Sequence, residues 1–329
     1  MLVEKGYTFD DLLLIPKLSN IKSRSLIDIS VQIKRGMRFK IPIVCANMKH
    51  VTGVRMARTI AEIGGLALLH RFGSSQLGDF REATRCGTEY TNNIGVSVGI
   101  KPQDKLTAEE LISAGAKIVC VDVAHGHHKG VSDMVNKLRK HEVVIIAGNV
   151  ATSDGAKFLL DAGAHIIKCG IGPGSLCTTR TETGNGVPQL TALEEVKKTV
   201  GKVKIIADGG IRTAGDITKA LCFADFVMLG NLLAGTSDSP GDVLKIDDKR
   251  YKRYAGSSTH KTSHVEGVSG LVEYKGETKF IIERLLEGLR SGMSYQGAAN
   301  LSELKKNPKF VSISHAGLTE SKPHDVWVK

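Results

Sequence analysis

One cysteine is flanked by residues that could support chemistry, in the segment GIGPGSLCTTR from Gly170 to Arg180. Cys177 follows glycine-rich turn residues and precedes two threonines. It could be a small buried residue, half of a disulfide, or a nucleophile whose reactivity depends on forming the thiolate. The glycine loop presents backbone N–H and C=O groups that could hold an anion or a monovalent cation. The position of the loop in the fold must decide between these roles.

Two more glycine-rich segments, ADGG and LGN, follow short apolar runs and end at Gly210 and Asn231. Glycines there let a phosphate group approach the backbone, so we favour a phosphate site over simple tight turns. The sequence HGHH at 125–128 could suggest a metal, but no carboxylate cluster joins it beyond Asp122. We therefore interpret the histidines as part of a polar loop.

The composition limits the classes of function. The chain has 329 residues, a formal net charge of +11 and 41% hydrophobic residues, which is ample for a full core. Basic residues are scattered, with short clusters at 34–35, 197–198 and 305–306, and no nucleic-acid-binding motif accompanies them. We interpret the charge mainly as a solvated surface with some attraction for phosphate ligands, and expect no nucleic-acid partner.

Six dispersed cysteines form no CxxC pair, and no apolar run approaches the roughly 18 residues of a membrane span. We expect a reduced, cytoplasmic protein with no membrane partner. Cys45, Cys120, Cys169 and Cys222 lie in predicted strands or a helix and are expected to be core residues, whereas Cys86 is assigned no role.

Eight short apolar runs recur, each followed by a turn and a helical pattern. They cover 41–46, 66–70, 94–99, 117–123, 143–150, 165–170, 204–210 and 225–231. Strands that are apolar on both faces lie between layers, and strand–helix alternation implies parallel pairing. Eight units predict a (β/α)8 TIM barrel over about 41–300, within a single domain of 1–329. The alternative, a doubly wound open sheet, is disfavoured because no GxGxxG opens the first unit.

Active sites of such barrels lie at the carboxyl ends of the strands. Cys177, Asp122 and the two glycine segments all fall there, which raises the weight of a nucleophilic role without excluding a structural one. A polar stretch at about 247–276 has no strong periodicity, and its length suggests a functional flap loop.

These segments together resemble the IMP dehydrogenase and GMP reductase family along nearly the whole chain. The matching segments are YTFDDLLLIP, ANM, HRF, DVAHGH, IIAGNVAT, KCGIGPGSLCTTR, GVPQLTA, IIADGGIRTAGDI, VMLGNLLAGTSDSPG, YKRYAGSS and YKG. The cysteine loop combined with the DGG motif is highly specific. The resemblance implies a homotetramer that acts on a small-molecule purine nucleotide.

The resemblance also implies roles for individual residues. Cys177 would attack C2 of the purine and form a covalent thioimidate, Thr179 would assist proton transfer, and Glu266 would contact the base edge and help ammonia leave. Substrate contacts are implied for Asn47, Met48, Ser175, Asp208, Gly210, Gly230, Asn231, Tyr254, Gly256, Ser257 and Ser258. Contacts with a nicotinamide cofactor are implied for Asp122, Ala124, His125 and Gly170, and carbonyls of Gly172, Gly174 and Cys177 would hold a potassium ion.

Two reactions in this family share the covalent intermediate. A dehydrogenase oxidises IMP with NAD and hydrolyses the intermediate to XMP, whereas a reductase expels ammonia from GMP and reduces the intermediate with NADPH to IMP. Dehydrogenases resemble one another in an Arg-Tyr pair on the flap, where the Arg activates water. Here no Arg or Tyr lies between Ser258 and Glu266, although Lys261 or a histidine could substitute. The segments ANM and HRF, and the hydroxyl of Ser258, also resemble reductases.

Other features resemble dehydrogenases, namely SISHAGLTESKPHDV, VDVAHGHHKGV and GIRTAGDI. The regulatory CBS pair that many dehydrogenases insert after the second strand is absent, because HRFGSSQLGDFREA continues directly. We favour the reductase with NADPH, with a dehydrogenase lacking CBS domains and using NAD as the alternative. A binding protein with an inactive site, or a flavin-dependent barrel, would leave the intact CTT segment unexplained.

Overall fold

The computed structural model describes residues 5–33, 36–73, 75–85, 89–256, 267–324 and 326. Its strands, in chain order, are β1 (Leu12–Leu14), β2 (Val31–Gln32), β3 (Arg38–Phe39), β4 (Ile43–Cys45), β5 (Leu66–Leu69), β6 (Ile94–Val98), β7 (Ile118–Asp122), β8 (Val144–Val150), β9 (Ile166–Cys169), β10 (Lys204–Asp208), β11 (Phe226–Leu229), β12 (Leu244–Ile246), β13 (Lys249–Ala255), β14 (Ser269–Glu273) and β15 (Phe310–Ser312).

The helices connect and flank these strands. They are α1 (Val54–Glu62), α2 (Gln76–Thr84), α3 (Pro102–Ser113), α4 (Lys129–Leu138), α5 (Ser153–Ala162), α6 (Thr179–Thr183), α7 (Gln189–Val200), α8 (Ala214–Leu221), α9 (Thr278–Tyr295), α10 (Leu301–Leu304) and α11 (His315–Glu320). Short 3-10 helices cover Arg24–Leu26 and Glu89–Asn93.

Strands β4 to β11 form a closed parallel barrel in sequence order. The ring closes where β11 pairs with β4, with Val227 opposite Ile43. Each of the eight predicted runs contains one barrel strand. The predicted (β/α)8 barrel is therefore confirmed, and the open sheet is excluded because an open sheet would leave its outer strands unpaired on one side.

The barrel strands are buried almost throughout, which explains their continuous apolar character. Local signals end and begin the helices between them. Thr213 and Asp216 form a reciprocal capping box at the start of α8, and Gly163 ends α5 with a φ of 105°. The buried charged exception among these strands is Lys168 in β9, which is only 3% exposed, and Ser97 in β6 is a buried hydroxyl.

The stretch interpreted as a flap without periodicity contains β13 and β14, which form a three-stranded antiparallel sheet with β12, the strand just before the stretch. In β13 the buried positions are Lys252 and Tyr254, two residues apart. The Lys252 amine donates to the carbonyls of Thr236 and Ser239, so a lysine occupies an inward position where an apolar residue is expected. The alternation of buried and exposed positions in β13 was therefore not visible in the sequence, because one of the buried side chains is a lysine.

Elements outside the barrel strands complete the fold. Strand β1 pairs with β15, β2 pairs with β3, and helix α9, predicted as the last barrel helix, packs against α8 and α1. Among the described residues, no helix is both long and apolar enough to cross a membrane. The single-domain organisation stays a prediction.

Candidate active site

A cavity of about 420 Å³ opens at the carboxyl ends of the barrel strands. This volume lies within the range of small-molecule sites. Its walls include most residues predicted for the site: Asn47, Met48, Asp122, Ala124, Gly170, Gly172, Gly174, Ser175, Cys177, Thr179, Asp208, Tyr254 and Gly256. Gly210, Gly230, Asn231 and His125 are not on these walls, and Ser257, Ser258, Lys261, Glu266 and Cys86 lie outside the described residues.

The cysteine loop follows β9 and turns Cys177 into the cavity. The backbone N–H of Cys177 donates to the Gly174 carbonyl at 3.0 Å, which closes the turn. Its thiol lies 3.1 Å from the Thr179 hydroxyl and forms no disulfide. The thiol is half-buried, whereas Cys45, Cys120, Cys169 and Cys222 are buried. The geometry therefore gives Cys177 access to a ligand and a hydroxyl partner for proton exchange.

Glycine at position 170 is required by packing at the start of this loop. Gly170 has a φ of 144°, and a Cβ there would collide with the Asp208 carbonyl oxygen. The buried Gln189 amide donates to the Cys169 carbonyl at 2.9 Å and to the Asp208 carbonyl at 3.2 Å. These contacts fix the cysteine loop against the end of β10.

A buried lysine that the sequence analysis missed lies on the cavity wall. The Lys168 amine contacts Asp122 Oδ1 at 2.8 Å and Asp208 Oδ2 at 2.7 Å. Burial opposes its charged form, but the two carboxylates outweigh burial and raise the pKa of Lys168. Burial likewise opposes ionisation of Asp122, yet the Lys168 charge lowers the pKa of Asp122. One ammonium group thus joins the carboxylate predicted for the substrate, Asp208, to the one predicted for the cofactor, Asp122.

Asn149 completes this network from β8. Its side-chain amide donates to Asp208 Oδ2 at 2.8 Å and to the Gly170 carbonyl at 2.7 Å. On the opposite side, the Asn47 amide donates to the buried Ser97 hydroxyl at 2.9 Å. Asp208 is therefore oriented by two donors, which leaves its other oxygen to accept hydrogen bonds from a diol.

The predicted phosphate region adjoins the cavity beside Tyr254. This side chain is 3% exposed, and burial raises the pKa of Tyr254 to about 12, so the phenol stays protonated and can donate. A Cβ added at Gly230 would lie 3.0 Å from the phenol oxygen, so glycine leaves space in front of it. The Asn231 carbonyl accepts a hydrogen bond from the Lys275 amine, which brings a cation to this side of the barrel.

The histidine segment has local roles. His128 caps α4 by accepting from the Gly130 N–H at 3.0 Å, and the ring of His127 lies 4.9 Å from that of Phe158. His125 is exposed and lies outside the cavity wall. Among the described residues, no group of three or more metal-ligating side chains is assembled.

Arg71 is a second cation on the cavity wall that the sequence analysis did not single out. Its guanidinium lies 4.6 Å from the centre of the Phe72 ring. The preceding residue, His70, accepts the Phe72 N–H at 3.1 Å, and burial lowers the pKa of His70 so that it is neutral near pH 7. The segment HRF therefore contributes one positive charge to the cavity.

The chemistry of the cysteine loop is compatible with the predicted potassium ion. Backbone carbonyls are suitable ligands for potassium, and a carbonyl that accepts one hydrogen bond, as Gly174 does, keeps a second lone pair. On the other side of the loop, the Arg180 guanidinium donates to the Val187 carbonyl at 2.7 Å. The potassium ion stays a prediction.

Comparison with known proteins identifies a family and relatives that cover nearly the whole chain. The family model described as "IMP dehydrogenase / GMP reductase domain" matches residues 6–324. The chain is 31% identical to an inosine-5'-monophosphate dehydrogenase of Nitrosopumilus maritimus, over 98% of the chain and 99% of the relative. It is 34% identical to one of Borreliella burgdorferi, over 99% of the chain and 98% of the relative. It is 31% identical to a GMP reductase of Leishmania donovani, over 98% of the chain and 97% of the relative.

The chain belongs to the IMP dehydrogenase/GMP reductase family, whose members are oxidoreductases that act on purine nucleotides. The alignment with the Nitrosopumilus protein spans 471 positions and that with the Leishmania protein 478, although this chain has 329 residues. Relatives named as either enzyme thus carry long segments that this chain lacks. The absence of such a segment does not separate the two activities.

Proposed function

We propose that this protein is a GMP reductase, which converts GMP to IMP and ammonia with NADPH as the reductant. The support for covalent chemistry is the half-buried Cys177 thiol at 3.1 Å from the Thr179 hydroxyl, in a cavity that also presents Asp208. Among the family's two reactions, the reductase is supported by the absence of Arg and Tyr between Ser258 and Glu266. Hydrolysis needs an activated water, whereas deamination followed by reduction does not.

In the first step the Cys177 sulfur bonds to C2 of guanine and loses its proton, which Thr179 relays. The bond from C2 to the exocyclic nitrogen breaks, and that nitrogen leaves as ammonia after it is protonated. By resemblance, Glu266 supplies this proton. The product is a thioimidate between Cys177 and the purine.

In the second step C2 would receive a hydride, which NADPH would supply when bound. The sulfur–C2 bond breaks, Cys177 leaves as a thiolate, and IMP is released. The overall change consumes GMP, NADPH and two protons and yields IMP, NADP⁺ and ammonium. The cavity residues proposed to face the cofactor are Asp122, Ala124 and Gly170, and His125, which is exposed and not on the cavity wall, is proposed by resemblance.

The nucleotide would be held by hydrogen-bonding groups at two ends. Asp208, oriented by Lys168 and Asn149, would accept from the ribose hydroxyls. The Tyr254 phenol would donate to the phosphate, together with Ser175 and the backbone at Gly210, Gly230 and Asn231. Asn47, Met48 and Gly256 would complete the contacts with the base, along with Ser257 and Ser258 by resemblance.

The experiment that tests this proposal follows the absorbance of the reduced nicotinamide with two substrate pairs. GMP plus NADPH should lose absorbance and yield IMP and ammonium in equal amounts, while IMP plus NAD should give no XMP. A rise in absorbance with IMP and NAD, with XMP formed, would instead identify a dehydrogenase. Replacing NADPH by NADH in the first pair tests the cofactor preference.

Dehydrogenase activity is the second candidate, and one observation favours it. Arg71 places a guanidinium on the cavity wall, although from the loop after β5 and not from the flap. An arginine in this position could orient a water molecule toward a thioimidate. If XMP forms, Arg71→Lys should reduce its formation more than it reduces nucleotide binding.

We also propose that the protein is a cytoplasmic homotetramer, on the basis of resemblance to the family. Size-exclusion chromatography coupled to light scattering tests the assembly. A monomer at micromolar concentration would contradict it.

A further inference from the structure

A second cavity, of about 660 Å³, lies at the amino-terminal end of the barrel. Lys204 lines it and begins β10, whereas Asp208 ends β10 in the active site, so the two cavities occupy opposite ends of the barrel. The β2–β3 hairpin, the loop after α7 and helix α10 form its other walls. The proposed reaction uses none of these residues.

The second cavity is strongly basic. Its basic side chains are Arg38, Lys197, Lys202, Lys204 and Lys305, and its carboxylates are Asp28 and Asp225. Two of the basic clusters noted in the sequence, at 197–198 and 305–306, each place one lysine on its wall. Residues more than a hundred positions apart therefore converge on one concave surface, which the interpretation as scattered solvated charge did not foresee.

The positive charge is not balanced inside the cavity. Asp225, which is 4% exposed, accepts from both Lys204, at 3.1 Å, and Lys305 through the same oxygen, Oδ1. Its second oxygen accepts the Ile205 N–H at 3.0 Å. One carboxylate thus pairs with two ammonium groups. Burial lowers the pKa of Lys305, although the neighbouring Asp225 carboxylate acts to raise it. An added anion would relieve this excess of positive charge.

The remaining side chains leave further donors available. Asp28 is paired with Arg38 at 3.2 Å, and Lys197 donates to the neutral Gly201 carbonyl at 2.8 Å. Within the described part of the chain, Lys202 forms no ion pair, and its side chain is exposed. Among the described residues that line the cavity, the five basic side chains therefore outnumber the two carboxylates by three.

We propose that this cavity binds an oligophosphate group, either as free tripolyphosphate or as the phosphate chain of a nucleotide. Ammonium groups with hydroxyls of Ser30 and Ser302 suit phosphate oxygens. The apolar contribution comes from Val31 and Leu301, and among the residues that the structure describes no aromatic ring on which a base could stack lines the cavity. The phosphate chain is thus the recognised group, and its several charges match the excess of three cations.

The test measures binding by isothermal titration at low ionic strength, with saturating GMP present to occupy the active site. The probes are tripolyphosphate, ATP and orthophosphate. The test variant is Lys197→Gln/Lys305→Gln, and the matched control is Lys198→Gln/Lys306→Gln. The control removes the same charge from adjacent positions that do not line the cavity. We expect the test variant to bind tripolyphosphate at least about tenfold more weakly and the control to stay within about twofold of wild type.

The probes distinguish the source of the phosphate chain. Equal affinity for ATP and tripolyphosphate indicates recognition of the chain alone, and tighter binding of ATP indicates a nucleotide; both support the proposal. Equal weakening in both double variants, orthophosphate binding as tight as tripolyphosphate, or no binding to wild type would overturn it. If the test variant does not fold, Lys202→Gln, at an exposed position, replaces it and must weaken binding. A nucleic-acid oligomer bound equally by both variants would indicate a diffuse basic surface instead.

Discussion

Lys168→Met should change how activity depends on pH, and not only how much activity remains. The Lys168 amine touches one oxygen of Asp122 and one of Asp208, at 2.8 and 2.7 Å. Those oxygens are therefore at most about 5.5 Å apart, the sum of two contacts. Without the ammonium group, two carboxylates face each other across that distance in a largely buried site.

The repulsion between them is about 3 kcal/mol at an effective dielectric constant of about 20. This energy corresponds to a factor of about a hundred in an equilibrium constant. The variant can relieve the repulsion by binding a proton, which removes the charged acceptor proposed for the ribose. A factor of a hundred corresponds to about two pH units, so we expect kcat/KM for the nucleotide to fall most steeply below about pH 6 and much less at neutral pH. The acid limb of its pH profile should also move to higher pH.

The assay is a pH profile of kcat/KM for the wild type, Lys168→Met and a control, Lys252→Met. Lys252 is as buried as Lys168, at 3% exposure, but its amine contacts the carbonyls of Thr236 and Ser239. Both substitutions remove a buried ammonium group, and urea unfolding checks that each variant is folded. If the acid limb stays in place in Lys168→Met, or moves equally in Lys252→Met, Lys168 does not balance the charges of Asp122 and Asp208.

Three further predictions concern single residues. Iodoacetamide should label Cys177 well before Cys45, since burial raises the pKa of Cys45 to about 11. Peptide mass mapping measures both rates, and faster labelling of Cys45 would contradict the accessibility assigned to Cys177. Tyr254→Phe should raise KM for the nucleotide about tenfold with little change in kcat, because one phosphate donor is lost; an unchanged KM would remove Tyr254 from the site. Asp225→Asn should lower the free energy of unfolding by about 2 kcal/mol at pH 7. Burial opposes ionisation of Asp225, but two lysines outweigh it and lower the pKa of Asp225. Its contribution to stability is therefore present above roughly pH 4 and is lost on further acidification. The unfolding free energies of wild type and variant should converge in acid, and a difference that stays constant with pH would contradict the assignment.

The barrel could be predicted because its strands are buried on both faces, so that each appears as a short apolar run. The site loops could then be located by the rule that chemistry lies at the carboxyl ends of the strands. Lys168 was missed because a single lysine in HIIKCG carries no signal of what it contacts. Its partners end β7 and β10, about 40 residues away in either direction, and only barrel closure brings them together.

The sheet β12–β13–β14 was missed for a related reason. Its inward positions include Lys252, whose amine is satisfied by carbonyls from another loop. The basic cavity at the amino-terminal end also depends on residues that are far apart in sequence. Lys168, Lys252 and the lysines of the basic cavity each acquire their role from the groups that they contact in the folded protein. The spacing of residues along the chain does not reveal those contacts.

The most direct test of the proposed reaction is to quench a single turnover of GMP and NADPH in acid and to measure the mass of the intact protein. We expect a transient adduct with the mass of GMP less ammonia, which peptide analysis maps to Cys177 and which decays as IMP appears. Oxidation of NADPH and formation of IMP without that adduct, or with undiminished rate in Cys177→Ala, would contradict covalent reduction at this cysteine.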